Sequence, residues 1–236
     1  MKQNLPATLA FTLSYEGGYS ANRADPGNWT GGRVGSGRLA GTKYGISAPL
    51  VARTGGLSVD AQKMRLLSED DFRALAVRYF WEPMGCDRLP SGLDLMVFDH
   101  GFNAGAKTSI HLLQTIVGVE RDGVIGPQTL DAIETAKLGF VAHFASQATL
   151  SALQKEMGIP QTGMVDQTTI TMLEKHGKRL ELLCHALSAL QLGDYRSKKE
   201  FAIFGNGWLE RARARRDRAL AFVGATPVTA SSAPTS

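Results

Sequence analysis

The chain has 236 residues, 43% of them hydrophobic and 20% charged, with a formal net charge of +4. That is the composition of an ordinary globular protein of one large or two small domains, and it excludes collagen-like or wholly disordered chains. Apolar windows are interrupted within a few residues, which excludes a transmembrane helix. The N-terminus has one lysine and a short apolar run without a cleavage-type site, so synthesis in the cytoplasm without a signal peptide is expected.

The first predicted element is a helix from Asn4 and Pro6 to about Glu16. Leu5, Leu9, Leu13 and Glu16 recur at spacings of three and four, so the Glu16 carboxylate continues an apolar face. A carboxyl group at the edge of a buried face loses solvation when ionised. Its pKa should rise, and a proton held near neutral pH is what a general acid needs. Gly17 and Gly18 are expected to stop the helix and turn the backbone, bringing Asp25 back across a groove as a second carboxylate. Paired carboxylates in different surroundings are the minimum equipment for glycoside cleavage. The plainer alternative is a solvated glutamate before a glycine cap.

From Ala21 to Ser47 the chain is glycine-rich and without helical period, which predicts turns and a short β-hairpin. Ser68 followed by Glu69, Asp70 and Asp71 predicts a capped helix, with Phe72, Leu75, Ala76, Tyr79 and Phe80 on one face and Pro83 at its end. A further helix is expected from about Ser91, ahead of the glycine-bounded stretch Gly101–Gly105. Asp99 and His100 invite a catalytic triad, but no nucleophilic serine or cysteine motif accompanies them, so a structural role is expected.

Beyond Gly105 there is an internal repeat: Leu113, Gln114, Gly118, Gly123 and Thr129 recur 40 residues on as Leu153, Gln154, Gly158, Gly163 and Thr169. Each copy reads as helix, glycine-bearing loop, helix. Between Arg196 and Arg218 eight basic residues face Glu200, Glu210 and Asp217, an excess of five, so the rest of the chain sums to −1. The arginines after Trp208 are predicted on several faces of a helix. They suit an anionic partner such as a wall polymer, a membrane surface or nucleic acid, or simply a solvated terminal helix. From Gly224 a disordered tail is expected. Cys86 and Cys184 match no metal-ligand spacing and are expected as buried free thiols, with a disulfide as the alternative. The five histidines are likewise scattered, so no metal and no cofactor are expected.

Taken together, Glu16-Gly17-Gly18-Tyr19, Asp25-Pro26-Gly27, Thr42 to Ser47, Phe98 to Gly105, Asp122 to Pro127 and Phe204 to Arg211 resemble the family 108 glycoside hydrolases. These are N-acetylmuramidases found as phage endolysins and secretion-linked bacterial enzymes. The resemblance runs from about Leu5 to Arg218. It implies an α+β, mainly helical, lysozyme-like fold with a small β-hairpin lobe and a helical C-terminal lobe. The implied division is a catalytic region over residues 1–105, a peptidoglycan-binding-like region over 106–223 and a tail over 224–236. The implied activity is hydrolysis of the β-1,4 bond between N-acetylmuramic acid and N-acetylglucosamine, with Glu16 as acid, Asp25 as second carboxylate and Thr42 positioning a water. A glycine-rich extension, Gly27 to Gly41, departs from the family pattern and makes Thr30 a competitor for the role of Thr42.

Tyr19, Trp29 and Tyr44 are candidates to stack on sugars, or else packing anchors. Asn103 is a candidate to bind an N-acetyl group, or else the N-cap of a helix beginning near Lys107. The expected partner is peptidoglycan and the expected state a monomer, with no nucleic acid and no stable membrane insertion. The wall would be reached by holin-type release or a dedicated export route. A lytic transglycosylase using Glu16 alone and a non-catalytic peptidoglycan-binding module are the competing hypotheses.

Overall fold

The computed structural model of the chain describes residues 2–54 and 59–225. The elements in order are α1 (Leu5–Tyr15), β1 (Thr42–Lys43), β2 (Ile46–Ser47), α2 (Ala48–Thr54), α3 (Ala61–Leu66), α4 (Glu69–Ala76), α5 (Leu93–Ala104) and α6 (Ala106–Val117). They continue with α7 (Pro127–Glu134), α8 (Leu138–Ala142), α9 (Gln147–Glu156), α10 (Gln167–Lys175), α11 (Arg179–Ser197) and α12 (Phe201–Ala225). The result is the expected mainly helical α+β arrangement with one small hairpin.

Helix α5 is the axis of the core. Its first nine residues, from Leu93 to Gly101, are all buried, including Asp94, Asp99 and His100. A helix buried on every side must be surrounded, and α1, α6, α11 and α12 all pack against it. Residues 106–223 therefore share the core with the N-terminal region through α6, α11 and α12. Polar pins fix these contacts: Asn4 Nδ2 donates to Ser91 Oγ at 2.7 Å and to Asp94 Oδ2 at 2.8 Å, and Gln191 Nε2 donates to the Met96 carbonyl at 2.9 Å. Ser68 caps α4 as expected, and Asp71 completes a capping box with it.

Three local expectations change. Helix α1 ends because Glu16 itself turns extended (φ −91°, ψ 140°); Gly17 and Gly18 are absent from the left-handed residues. The Gly101–Gly105 stretch is no loop: α5 runs through it to Ala104, and only Gly105, at φ 101°, breaks it. Gly224 and Ala225 are helical, and the rest of the expected tail lies outside the described residues.

The repeat is built on one device used twice. Gln114 Nε2 donates to Asp122 Oδ1, the Val124 carbonyl and Thr129 Oγ1, while its Oε1 accepts from Gly123 N. Gln154 does the same to Thr162 Oγ1, the Met164 carbonyl, Thr169 Oγ1 and Gly163 N. A buried amide thus satisfies a whole glycine loop from within. Cys86 and Cys184 are both buried and are not joined in a disulfide, and burial pushes both thiols up.

Candidate active site

Glu16 stands at the end of α1, where the chain leaves the helix for the hairpin, and its side chain keeps 12% exposure. Oε1 accepts from Arg211 Nη1 on α12 at 2.8 Å. The rest of that guanidinium is spent on Asp99 of α5: Nη2 donates to Oδ1 at 2.7 Å and Nε to Oδ2 at 3.1 Å. Asp99 also accepts from Thr12 Oγ1 and from Arg215 Nη1, at 2.8 and 2.9 Å. The fork geometry of arginine fits this use, a bidentate grip on one carboxylate with a third donor left for another. Arg211 and Arg215 lie one turn apart on the inner face of α12 and are both buried. They are not the solvated or partner-seeking cations that their charge run predicted.

The two carboxylates titrate in opposite directions. Burial pushes Glu16 up from its ordinary 4.5; the charge and hydrogen bond of Arg211 pull back without reversing it, and Asp99 adds to the rise. Burial pushes Asp99 up as well, but Arg211 and Arg215 together hold it below its ordinary value. The cluster thus provides a permanent anion at Asp99, a permanent cation at Arg211, and a proton-binding group at Glu16. Since Oε1 faces the guanidinium, Oε2 is the oxygen free to carry the proton.

Oε2 faces the hairpin. The two-residue turn Tyr44-Gly45 joins β1 to β2, with Thr42 opposite Ser47 and Lys43 opposite Ile46. Both turn residues have positive φ, 53° and 71°, the geometry of a tight type I′ hairpin. A Cβ on Gly45 would stand 2.7 Å from Glu16 Oε2 and 2.6 Å from Phe102 Cε1, so glycine is what lets the turn approach the carboxylate. The turn is tied to α1's exit by Tyr44 N donating to the Gly17 carbonyl at 3.1 Å, and Ser20 bridges Thr42.

Thr42 is therefore on the strand leading into this turn. Its hydroxyl donates to Asn28 Oδ1 at 2.6 Å, which leaves its lone pairs for a water. Asp25 lies across the same loop, exposed, with Oδ1 accepting from Gly27 N at 2.8 Å as the cap of a short 3₁₀ turn over Pro26–Asn28. Gly27's carbonyl lies 3.3 Å from Thr42 Oγ1. Thr30 is held within the extension, exchanging main-chain and side-chain hydrogen bonds with Arg38.

The aromatic candidates are all partly committed to packing. Tyr19 donates its hydroxyl to the Ala40 carbonyl at 3.0 Å, and Arg65 covers its ring at 4.4 Å. Trp29 donates Nε1 to the Arg23 carbonyl at 2.9 Å. Tyr44 meets Phe72 edge-on with Lys43 over its ring at 4.8 Å. Asn103 is exposed in the last turn of α5; the next helix starts at Ala106 behind Gly105, so Asn103 is not its cap.

The residue missed from sequence is Arg211, together with its support from Arg215. The available signal was their spacing of four, matched to Asp99 among the apolar residues of α5. His100, by contrast, faces away toward α11: its ring meets Tyr195 at 5.2 Å and its Nε2 lies 3.3 Å from Asp194 Oδ2. Among the described residues no group of three or more histidines, cysteines or acids is placed to hold a metal ion, and no helix is long and apolar enough to cross a membrane.

Residues 9–105, the segment carrying Glu16, Asp25, the hairpin and Asp99, match the family described as Glycosyl hydrolase 108. The fold is similar to that of SagA from Brucella abortus, at a TM-score of 0.63 and 23% identity, over 94% of this chain and 97% of that one. No curated protein matches the chain. The arrangement is mainly helical α+β and lysozyme-like, and over residues 9–105 the chain is similar to glycosyl hydrolase family 108.

Proposed function

We propose that the chain is a peptidoglycan hydrolase that cuts the β-1,4 bond between N-acetylmuramic acid and N-acetylglucosamine, with Glu16 as the general acid. The observation that carries this is the Glu16 environment: a largely buried carboxyl with a raised pKa, one oxygen fixed by Arg211 and the other facing the hairpin turn. In this scheme Glu16 Oε2 gives its proton to the glycosidic oxygen as the bond breaks. Asp25 and Thr42, on the facing loop, serve the oxocarbenium-like sugar or the attacking water. Thr42 acts as a hydrogen-bond acceptor, because its own proton is spent on Asn28. Arg211 is a positioning residue: it orients the carboxyl without touching substrate. Tyr44 and Tyr19 shape the hairpin wall.

One observation favours a second scheme. Asp25 is exposed and one of its oxygens is occupied by a local cap. A site with a single committed carboxyl suits a lytic transglycosylase, which needs no second one. Digestion of purified peptidoglycan by wild type, Glu16→Gln and Asp25→Ala, with mass spectrometry of the fragments, decides among these. Reducing N-acetylmuramic acid ends from wild type, lost in both variants, are expected. Anhydro ends with Asp25→Ala still active would establish the transglycosylase, and full activity in Glu16→Gln would overturn both schemes.

A further inference from the structure

The exposed basic surface lies on the hairpin lobe. Between Gly17 and Leu67 there are seven arginines and lysines against two acids, Asp25 and Asp60, and both acids are spent capping helical turns. Lys43 is tied down by the Arg65 and Leu67 carbonyls, and Arg65 lies on Tyr19. Arg38 and Arg53 are different. Both are exposed, and among the described residues neither has an ion-pair partner; Arg53 makes only a long 3.4 Å bond from Nε to the Pro49 carbonyl. They line one cavity of about 510 Å³ together with Thr30, Ser36, Ala52 and Val59, a wall without a single acid.

Two guanidinium groups facing one concave space repel each other unless an anion enters, and arginine forks match carboxylates in shape. Arg53 also lines an adjoining cavity of about 440 Å³ with Ser47, Tyr79 and Phe80. Ser47 is the strand partner of Thr42. The two cavities thus share Arg53, one reaching Arg38 and the other reaching the hairpin at Ser47.

We propose that the two cavities meeting at Arg53 form a subsite for the carboxylate-bearing peptide arm attached to the glycan, with Arg53 and Arg38 pairing its carboxylates and Ala52 and Val59 taking its small apolar groups. The assignment rests on the proposed peptidoglycan substrate. The peptide is favoured over a phosphate-bearing wall polymer because the site is continuous with the hairpin that would hold the sugar from which the peptide branches.

The test has two arms. In the first, the stem tripeptide alanyl-γ-glutamyl-diaminopimelate is titrated by NMR into Glu16→Gln protein with and without Arg38→Gln and Arg53→Gln. Saturable shifts at Ser36, Ala52 and Val59, weakened at least tenfold by the double substitution and by raised salt, are expected. Absence of binding, or equal binding by the double variant, would overturn the subsite, and this arm needs no turnover. In the second, KM is compared on intact wall and on glycan stripped of peptides by an amidase. The wild type should favour intact wall severalfold, and the Arg38→Gln/Arg53→Gln protein should lose that difference. A preference that instead follows removal of phosphate-bearing polymer would assign the arginines to that polymer and overturn the proposal. Failure of the wild type to cut either substrate would sink the proposed hydrolysis alone, leaving the titration to decide the subsite.

Discussion

Glu16 and Asp99 grip the same guanidinium, yet one is pushed up and the other held down, because Asp99 has two cations and Glu16 only a share of one. Replacing Arg211 by methionine leaves Glu16 buried with no cation against it. The loss of a partner from a buried ion pair should destabilise the fold by about 3–5 kcal/mol, read from urea unfolding. The pH profile supplies the second readout. Arg211 lowers the Glu16 pKa, so its removal raises it. Activity falls as pH rises through that pKa, so the alkaline limb should move to higher pH in Arg211→Met. In Arg211→Lys, which keeps the charge but not the fork, the limb should stay near the wild-type position while kcat drops. An unmoved limb in the methionine variant would remove Arg211 from the tuning of the acid.

At the scale of elements, the hairpin works because its turn contains the smallest residue at the point of closest approach. Gly45→Ala should cost about 1–2 kcal/mol for its left-handed backbone and lower kcat at least tenfold by forcing the turn off Glu16. Gly35 makes the control: its φ is 78°, but a Cβ there meets nothing within 4 Å. Gly35→Ala should show the stability loss without the fall in kcat; an equal fall in both would mean that backbone strain alone explains the effect. The elements that could be read from sequence share a local cause. The Ser68 cap, the Tyr44-Gly45 turn and the repeated Gln114 and Gln154 loops are each set by residues within about fifteen positions of one another. The contacts that could not be read are long-range. Arg211 reaches Glu16 across 195 residues, and a count of charges along α12 cannot tell a buried guanidinium from a solvated one. The same count hid the hairpin lobe, whose excess of five cations was cancelled by acids elsewhere in the chain.

For the molecule as a whole, acidity acts in two opposed ways. Burial pushes His100 down to about 4 from 6.5, so the unfolded chain binds its proton first as pH falls. Stability should therefore decline between about pH 6.5 and 4, by about 3 kcal/mol from this group. His185, also held down by burial, adds a slope of the same sign, and below 3.8 protonation of Asp99 begins to add to the loss. Urea midpoints across this range should fall with pH in the wild type and fall less in His100→Phe; parallel curves would exclude His100 as a source. Catalysis by a protonated Glu16 asks for the opposite, so the working range is bounded below by the fold and above by the acid.

Order of synthesis gives the grip on Glu16 a further meaning. The carboxylate is made among the first residues, and its guanidinium only in the last helix. A chain still on the ribosome has Glu16, the hairpin and Asp99 but no α12, so Asp99 is an unpaired acid and α5 lacks the helix that covers it. The site is therefore assembled last, whatever folds first, and a product truncated before Arg211 holds Glu16, the hairpin and Asp99 without the arrangement that makes them one centre.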